Sequence, residues 1–479
     1  MKEFTSHALN VATTEGARYA DIRIIDHREQ VVSVKNGNVD GIGDQYSQGF
    51  GVRVLIDHSW GFASSAYLTK PEIERVTNLA VKIARASARV PGEHVDLGNA
   101  VKSVGNYTTP IRIDPFSISL EQKLDLLFRA DEIIRRNSGV KVSEGNVIAV
   151  RNHKFFSNTE GAFLEQVLFE SGGAIAATAV NDTEVQIRSH PNSFRYQGTG
   201  GWEYITDADF AGNAERVANE AVALLSAEVC PSKQTTLILD SSQLALQIHE
   251  SCGHPAELDR VFGTEAAFAG RSFLTTDKRN NFRYGSDIVN LTADSVRATG
   301  LGTFGWDDEG VPASSTPLVR NGEFVGYLMS RETASRLGLQ SNGCMRADGW
   351  NRIPLIRMTN VSVEAGTWEF DDIIANTDDG IFMETNRSWS IDDMRLNFQF
   401  GTEVGYEIKG GKRGRLLKNC TYAGITPDFW KSCDAIANTR HWRLWGTPNC
   451  GKGEPMQTMG TGHGASPARF RNVQVGVFR

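Results

Sequence analysis

Apolar residues recur at helical spacing in two stretches near the start of the chain, residues 4–15 and 70–88. Residues three and four positions apart share one face of a helix, so both stretches predict amphipathic helices. Asn36-Gly37-Asn38 is typical of a turn between two strands. These elements predict an N-terminal α+β domain over residues 1–110, with an irregular linker within residues 95–115. Alternating apolar and polar positions predict its strands, which are residues 20–25, 30–35 and 49–56.

A second pattern of helices and strands fills the middle of the chain. Helical spacing predicts helices over residues 117–137 and 208–225, at the two ends of this part. A helix, several strands and a second helix are typical of α+β rather than alternating α/β order. We therefore predict a central α+β region over residues 111–229, ending near Cys230-Pro231. Its strand-like runs are residues 140–151, 163–171 and 174–189.

The remaining part, residues 230–479, is predicted to be a β-rich C-terminal domain. It opens with a short apolar strand over residues 235–239, and Asp240 is a typical first residue of a helix that runs to His249. Beyond it, glycines and short β-branched runs predict antiparallel strands, with a hairpin tip at residues 410–414. The predicted fold class is therefore α+β. It has N-terminal and central α/β-type units with mixed or antiparallel sheets, and a β-rich C-terminal domain.

The composition is that of a soluble globular protein and excludes several classes of partner. The 479 residues suffice for two or three domains with cores of their own. A formal net charge of −7 disfavours binding to nucleic acid or anionic membranes through bulk electrostatics. The first residues lack the apolar core of a signal peptide, and no apolar run is long enough to span a bilayer. Six cysteines without a paired framework predict reduced thiols, so we expect a cytoplasmic protein.

The segment His249-Glu250-Ser251-Cys252-Gly253-His254 is one residue longer than a common zinc-hydrolase motif. Positions five apart on a regular helix lie about 140° apart around its axis, so two such histidines could not share a metal ion. Gly253 tolerates unusual backbone angles, and Pro255 biases His254 away from helical geometry. We therefore expect either a π-bulge or the end of the helix at Gly253, because both would bring the histidines together. The competing interpretation is a chance match.

A catalytic zinc ion needs three protein ligands, an open position for water and a nearby base. His249 and His254 are the first two candidate ligands, and Glu250 is the candidate base. Glu257 and Asp259 follow just downstream. They are candidates for the outer layer of the site, since ligating histidines usually donate their second N–H to a carboxylate. The alternative for these two acids is a solvated helix end.

Three residues are candidates for the third metal ligand. Cys450 lies in a turn rich enough in glycine to present its side chain, and His463 lies in a second glycine-rich turn nearby. Cys252 is adjacent to the motif, but it would crowd the open position that catalysis needs. The sequence favours Cys450 first and Cys252 last. A small buried apolar role is the alternative for each cysteine.

The string H-E-x-x-G-H-x-x-E-x-D, from His249 to Asp259, resembles the TldD/PmbA family and in particular its TldD-like metallopeptidase members. Other segments extend the likeness in the same order along the chain. They are residues 34–37 and 49–53 near the start, and residues 449–452, 462–464 and 472–476 near the end. Separated matches in the right order make this resemblance more specific than the histidine motif alone.

The resemblance implies a zinc-dependent protease with its metallopeptidase site in the C-terminal domain. Its ligands would be His249, His254 and Cys450, with Glu250 as the catalytic carboxylate. It also implies that unstructured peptides are cleaved inside the enclosed chamber of a dimer. The partner would be a second copy of the chain or a PmbA-like subunit.

We therefore expect zinc-dependent proteolysis of unstructured or extended peptides. Metal-bound water would attack the peptide carbonyl, with Glu250 as general base. The β-rich domain could bind the peptide as an added strand, and His463 is a further candidate for contacting it. The alternative is a non-catalytic subunit or scaffold of a TldD/PmbA-like dimer. A non-catalytic subunit is expected to lack part of the histidine motif, and the motif in this sequence is complete.

Short acidic runs elsewhere are candidates for a second metal site. Such runs are far more often solvated turns, and we predict that role here. The runs are Asp307-Asp308-Glu309, Asp378-Asp379 and Asp392-Asp393.

Overall fold

The α+β fold class is confirmed in the computed structural model, which describes residues 1–193, 196–453 and 455–476. Two large sheets form its framework, one within residues 19–199 and the other within residues 228–475. The last three residues of the predicted C-terminal domain lie outside the described residues. Among the helices of the described ranges, none is both long and apolar enough to cross a lipid bilayer.

The first half of the chain forms one sheet with helices packed on it. Its elements are α1 (Lys2–Thr14), β1 (Tyr19–Lys35), β2 (Asn38–Ile56), β3 (Ser59–Ser65), α2 (Lys70–Ser87), β4 (Val104–Thr108), α3 (Leu120–Arg135), β5 (Val140–Asn158), β6 (Phe163–Val180), β7 (Val185–His190), β8 (Gln197–Thr199), α4 (Trp202–Thr206) and α5 (Phe210–Ser226). The strand order is β3-β2-β1-β5-β6, and β4, β7 and β8 all pair with β6. β4 pairs with β6 in parallel, whereas the other neighbours are antiparallel.

The helices cover one face of this sheet because their apolar residues recur at helical spacing. The side chain of Thr69 caps α2 by accepting a hydrogen bond from the N–H of Glu72, and Ser119 and Gln122 form a capping box at the start of α3. α1 and α2 share a buried core with β1, β2 and β3, and α3 and α5 share one with β1, β5 and β6. The opposite face of the sheet is left for the second half of the chain.

Strand β1 is longer than the sequence pattern predicts, because it joins the predicted strands 20–25 and 30–35. The polar residues 26–29 interrupt the apolar alternation, but they pair with β2 on one side and β5 on the other. Pairing along both edges satisfies the backbone hydrogen bonds of this stretch. Strand β4 lies in the predicted linker, where its parallel pairing with β6 orders it.

Buried ion pairs join the free face of the first sheet to the acidic run at residues 307–309. Asp308 is 2% exposed and Glu309 1%. Asp308 pairs with Arg23 at 3.5 Å and with Lys154 at 2.6 Å. Glu309 pairs with Arg53 at 3.4 Å. The prediction of a solvated turn is therefore wrong for this run, because cations of β1, β2 and β5 compensate the buried carboxylates.

The second half of the chain is rich in short strands, as predicted. Its elements are β9 (Glu228–Val229), β10 (Lys233–Leu239), α6 (Ser241–Ile248), α7 (Leu258–Phe262), α8 (Ala266–Ala269), β11 (Leu291–Asp294), β12 (Ser315–Arg320), β13 (Glu323–Phe324), α9 (Arg331–Ser335), β14 (Met345–Arg346), β15 (Leu355–Ile356), β16 (Val361–Val363), α10 (Phe370–Ala375), β17 (Asp379–Ile391), β18 (Asn397–Lys409), β19 (Lys412–Lys418), β20 (Thr421–Ile425), α11 (Thr426–Lys431), β21 (Cys433–Ile436), β22 (Arg443–Lys452), β23 (Gln457–Ala465) and β24 (Ala468–Val475). The predicted hairpin tip is confirmed between β18 and β19, where Gly410 and Gly411 have φ values of 55° and 70°.

The main sheet of this half closes around helix α6. Its strand order is β17-β10-β24-β20-β18-β19-β9, and β17 also pairs with β18, so the first five strands form a ring. α6 follows β10 directly, and all its residues are buried. Leu244 and Ile248 of α6 share a core with Phe400, Tyr422 and Phe470 of the ring. This packing holds the end of α6, and the residues that follow it, in a defined position.

Candidate metal centre

Helix α6 delivers the histidine motif to the centre of the second half. Asp240 caps the helix, since its carboxylate accepts a hydrogen bond from the N–H of Ser242 at 2.8 Å. At His249 the α-helix gives way to a π-helical turn, in which the N–H of His254 donates to the carbonyl of His249. The wider turn absorbs the extra residue, so the two imidazole centroids lie 4.8 Å apart. Of the two expected local distortions, the π-bulge is the one that forms.

Gly253 serves this turn through its lack of a side chain. Its φ of −72° and ψ of −64° are ordinary right-handed helical values, so the expectation of an unusual backbone angle is wrong. A Cβ atom at this position would instead clash with the Sδ of the fully buried Met358. Glycine is required here for close packing.

Pro255 also acts differently from the expectation. His254 keeps helical angles, with φ of −56° and ψ of −44°, so Pro255 does not move it out of the helical region. Pro255 has no N–H to donate to the carbonyl of Ser251, four residues earlier. The hydroxyl of Tyr284 donates to that carbonyl instead, at 2.6 Å. The helical hydrogen-bond pattern therefore ends here with its carbonyl satisfied.

Cys450 on β22 reaches the same point from the far end of the chain. Its Sγ lies 3.6 Å from Nε2 of His254, and one ligand atom from each of His249, His254 and Cys450 lies within 4.8 Å of the others. Tetrahedral bonds of about 2.0 Å to nitrogen and 2.3 Å to sulfur would place two such atoms about 3.6 Å apart. Pairing with Met459 on β23 and a hydrogen bond from Arg357 to the Cys450 carbonyl hold this part of the strand.

A chain of hydrogen bonds sets the proton positions behind His249. Nδ1 of His463 lies 3.0 Å from the carbonyl of Val361, which can only accept, so this nitrogen carries the ring proton. Burial lowers the pKa of His463 to about 4, so its Nε2 is an acceptor at neutral pH. That Nε2 lies 2.8 Å from Nδ1 of His249, which therefore donates. His249 is left with an unprotonated Nε2, the form that binds a metal.

Glu257 performs the corresponding function for His254. Its Oε2 lies 2.9 Å from Nδ1 of that ring, and burial lowers the pKa of His254 to about 3. Although burial opposes ionisation of Glu257, the charge of Lys452 holds the pKa of this carboxyl well below its usual range. Asp259 accepts a hydrogen bond from the same Lys452 at 2.8 Å. The two predicted acids thus share one fully buried lysine.

The other candidates for the third ligand do not join the cluster. Cys252 lies on the opposite side of the turn, where its Sγ is 3.1 Å from the hydroxyl of Tyr284. Burial raises the pKa of the Cys252 thiol to about 12. His463 contacts Nδ1 of His249 and is not part of the group of ligand atoms that His249, His254 and Cys450 form. Cys450 is therefore the candidate whose sulfur meets both histidines.

Glu250 lies beside the ligand cluster at a cavity of about 270 Å³, which Trp389 and Phe268 also line. Its Oε2 lies 2.9 Å from Nη1 of Arg395, and its side chain is 8% exposed. Arg395 belongs to the turn between β17 and β18 and has a φ of 61°. Sequence reasoning missed this arginine, because no motif or spacing connects it to a glutamate 145 residues earlier.

Three family models match the chain. They are PmbA/TldA metallopeptidase domain 1 over residues 20–84, the central domain over residues 113–225 and the C-terminal domain over residues 232–476. The cluster of His249, His254 and Cys450 lies within the third match.

Full-length relatives and a solved structure are also similar to the chain. A metalloprotease of Methanocaldococcus jannaschii is 30% identical over 451 residues, which cover 93% of this chain and 95% of that protein. A zinc metalloprotease TldD homolog of Saccharolobus solfataricus is 20% identical over 437 residues, or 88% of this chain and 89% of that protein. The structure of TldE from Thermococcus kodakarensis has a TM-score of 0.75 at 16% identity and covers 98% of this chain and 99% of that one. This last likeness shows a shared fold.

Proposed function

The chain belongs to the PmbA/TldD metallopeptidase family, and from this premise we propose that it is a zinc-dependent peptidase. The names of its relatives support a metallopeptidase-type function. The observation that carries the proposal is the meeting of two imidazoles and one thiol beside the buried carboxylate of Glu250.

The donor set fits zinc in kind and number. His249, His254 and Cys450 would hold the ion through two nitrogens and one sulfur, which are ligands that zinc prefers. Three protein ligands leave a fourth position open, as in catalytic rather than structural zinc sites. A bound zinc ion supplies a Lewis acid that lowers the pKa of water to about 7 and polarises a carbonyl.

We assign Glu250 the proton transfers of peptide hydrolysis. Its carboxylate accepts a proton from the attacking water and later gives it to the leaving amine. Arg395 orients this carboxylate through a charge-assisted hydrogen bond of 2.9 Å. Glu257 and His463 are positioning residues, since each fixes the ring of one histidine.

Strand β22 supports a preference for unstructured or extended peptides. It pairs with β23 along one edge, and among the described strands none pairs with its other edge. Thr447, Asn449 and Gly451 of β22 line the cavity that contains Glu250. A peptide added along this edge would be held by main-chain hydrogen bonds and would pass the candidate metal site.

The oligomeric state of the protein and its cellular location remain predictions. We propose that it works as a homodimer or as a heterodimer with a PmbA-like subunit, in the cytoplasm. The division into segments 1–110, 111–229 and 230–479 is likewise a proposal. Native mass of the purified protein, alone and with a PmbA-like partner, measures the assembly directly.

Substitution of Glu250 tests the proposed function. We expect Glu250→Gln to bind zinc as the parent does and to cleave a flexible peptide roughly 100- to 10,000-fold more slowly, since general-base catalysis contributes about that much. Glu323→Gln is the control, because Glu323 is exposed on β13. Zinc is measured by elemental analysis, and cleavage by mass spectrometry with and without a chelator.

Two results would contradict the proposal in different ways. Equal cleavage rates for Glu250→Gln and the parent would remove Glu250 from the mechanism. A zinc-loaded parent that cleaves no peptide, alone or with a PmbA-like partner, would favour the non-catalytic subunit or scaffold instead.

A further inference from the structure

A second and larger cavity lies where the first sheet meets the second half of the chain. It has a volume of about 470 Å³, within the range of small-molecule sites. Ile148 and Leu168 of the first sheet line one side, and Met459 and Gly460 of β23 line another. It shares no lining residue with the cavity at Glu250. The β22–β23 hairpin contributes to both, with Pro448 facing the larger one.

Arg346 is a buried cation in the wall of this cavity. Arg346 is only 8% exposed to solvent. Nη2 donates to the carbonyls of Met358 and Gly460, the second at 2.8 Å. Nε has no hydrogen-bond partner. Nη1 donates no hydrogen bond to any described residue, and the described carboxylates all lie more than 4.0 Å from the guanidinium nitrogens.

A buried guanidinium without a carboxylate partner is costly, since burial removes the water that stabilises its charge. Three acids line the cavity, Glu29, Glu170 and Asp348, and the last two accept hydrogen bonds from the protein. Glu170 accepts a hydrogen bond from Gln197 at 3.0 Å, and Asp348 accepts one from the N–H of Thr458 at 2.9 Å. Nε is itself covered by protein, so Nη1 is the donor of Arg346 left for an anionic group from outside the chain. A carboxylate oxygen can accept this hydrogen bond, which the charges of both groups strengthen.

The rest of the wall suits a short peptide that bears this carboxylate. Phe304, Trp306 and Trp350 supply aromatic surface, and the Arg346 guanidinium lies 5.6 Å from the Phe304 ring centroid. Asp348 is exposed, so the cavity reaches solvent at this loop.

We propose that this cavity binds a carboxylate of a short peptide, with Arg346 as its anchor. The carboxylate belongs to the C-terminus of the peptide or to an acidic side chain. The choice of a peptide rests on the proposed function, whereas the choice of a carboxylate rests on Arg346. The site would hold a second segment of a substrate, or a product, on the far side of the β22–β23 hairpin from the candidate metal centre.

Binding of matched peptides tests the proposal in the inactive Glu250→Gln protein. The probes are acetyl-trialanine with a free C-terminus, its C-terminal amide, and an acetylated Ala-Asp-Ala amide. Calorimetry gives the affinities. We expect the free acid to bind about tenfold or more tightly than the amide, as a charge-assisted hydrogen bond would produce. Tight binding of the Ala-Asp-Ala amide would identify side-chain carboxylates as a further source.

Arg346→Gln should remove the preference for the free acid, whereas Arg336→Gln, at an exposed arginine, should keep it. Equal affinity of all three peptides for the Glu250→Gln protein, or an unchanged preference for carboxylates after Arg346→Gln, would overturn the proposal. Hydrogen exchange of the Glu250→Gln protein with Arg346 intact gives a second measurement should Arg346→Gln not fold. The free acid must then protect residues 345–351 more than the amide does, and equal protection would also overturn the proposal.

These measurements separate the inference from the proposed function, because binding is measured without turnover. Cleavage by the parent without a preference for carboxylates would leave the peptidase assignment standing and remove this site. A carboxylate preference in a protein that cleaves no peptide would support this site and remove the peptidase assignment.

Discussion

Cys450 and Cys252 are both buried thiols near the histidine motif, yet they face different partners. The Sγ of Cys450 lies 3.6 Å from Nε2 of His254, whereas that of Cys252 faces the hydroxyl of Tyr284. We therefore expect Cys450→Ser to weaken zinc binding by more than the roughly 10- to 100-fold that substitutions around a metal site cost. Elemental analysis after dialysis against a weak chelator measures the zinc retained.

Cys252→Ser is the matched control for this experiment, since it removes a buried thiol one residue from Gly253. It should keep zinc at the level of the parent while lowering thermal stability through its buried hydroxyl. Zinc loss in Cys252→Ser with retention in Cys450→Ser would reverse the assignment of the third ligand.

At the scale of single residues, the sequence predicts some side chains of the candidate site and cannot predict others. A local motif names His249, Glu250 and His254, because ligands on one turn leave a mark in their spacing. Cys450 follows from a glycine-rich turn and a family resemblance. Arg395 leaves no such mark, because its contact with Glu250 depends on how the turn between β17 and β18 packs against α6 and the π-turn.

At the scale of an element, the π-turn depends on space around Gly253. A methyl group there would clash with the buried Sδ of Met358. We expect Gly253→Ala to destabilise the protein by about 1–3 kcal/mol through overpacking and to weaken zinc binding as His254 moves. Thermal unfolding and zinc titration measure the two effects.

Adding Met358→Ala should restore zinc binding to Gly253→Ala, because it removes the atom that the methyl group would meet. Gly43→Ala is the neutral control, since a Cβ on this glycine of β2 has no neighbour within 4 Å. If the double variant bound zinc no better than Gly253→Ala, the packing explanation for this glycine would be wrong.

The elements themselves were predictable where one physical signal dominates. Helices α2 and α3 follow from helical spacing, and the structure shows them capped at Thr69 and Ser119. The π-turn was predictable only as one of two distortions. The expected backbone angles of Gly253 were wrong because the requirement comes from Met358, more than a hundred residues away. Strand β1 similarly runs through polar residues because both its edges are paired.

At the scale of the molecule, buried charges connect the first large sheet to the second half of the chain. The acidic run at residues 307–309 meets Arg23, Arg53 and Lys154 of the first sheet. A run of like charges reads as a solvated turn when its partners are unknown, since an unpaired buried carboxylate is strongly unfavourable. The partners lie more than 150 residues earlier, so only the assembled fold reveals that the run is buried.

Arg188 on β7 makes a second such connection and permits a test of it. It is 2% exposed and pairs with Glu403 on β18 at 3.0 Å and with Glu220 on α5 at 2.8 Å. Arg188→Met would leave Glu403 buried without its cation, which costs roughly 3–5 kcal/mol in comparable buried pairs. We therefore expect a clear drop in the denaturation midpoint, measured by circular dichroism.

Arg216→Met isolates the contribution of burial in the same network. Arg216 pairs with Glu220 at 3.1 Å, but its side chain is 42% exposed, and exposed pairs contribute about 0–1 kcal/mol. Both substitutions remove one positive charge near Glu220, so their difference reports the loss of the cation beside Glu403 and Glu384, which pairs with Arg188 at 3.4 Å. Equal midpoints for Arg188→Met and Arg216→Met would mean that this ion pair does not hold the two sheets together. A larger drop for Arg188→Met would show that the contact between the sheets depends on charges that neither sheet could bury alone.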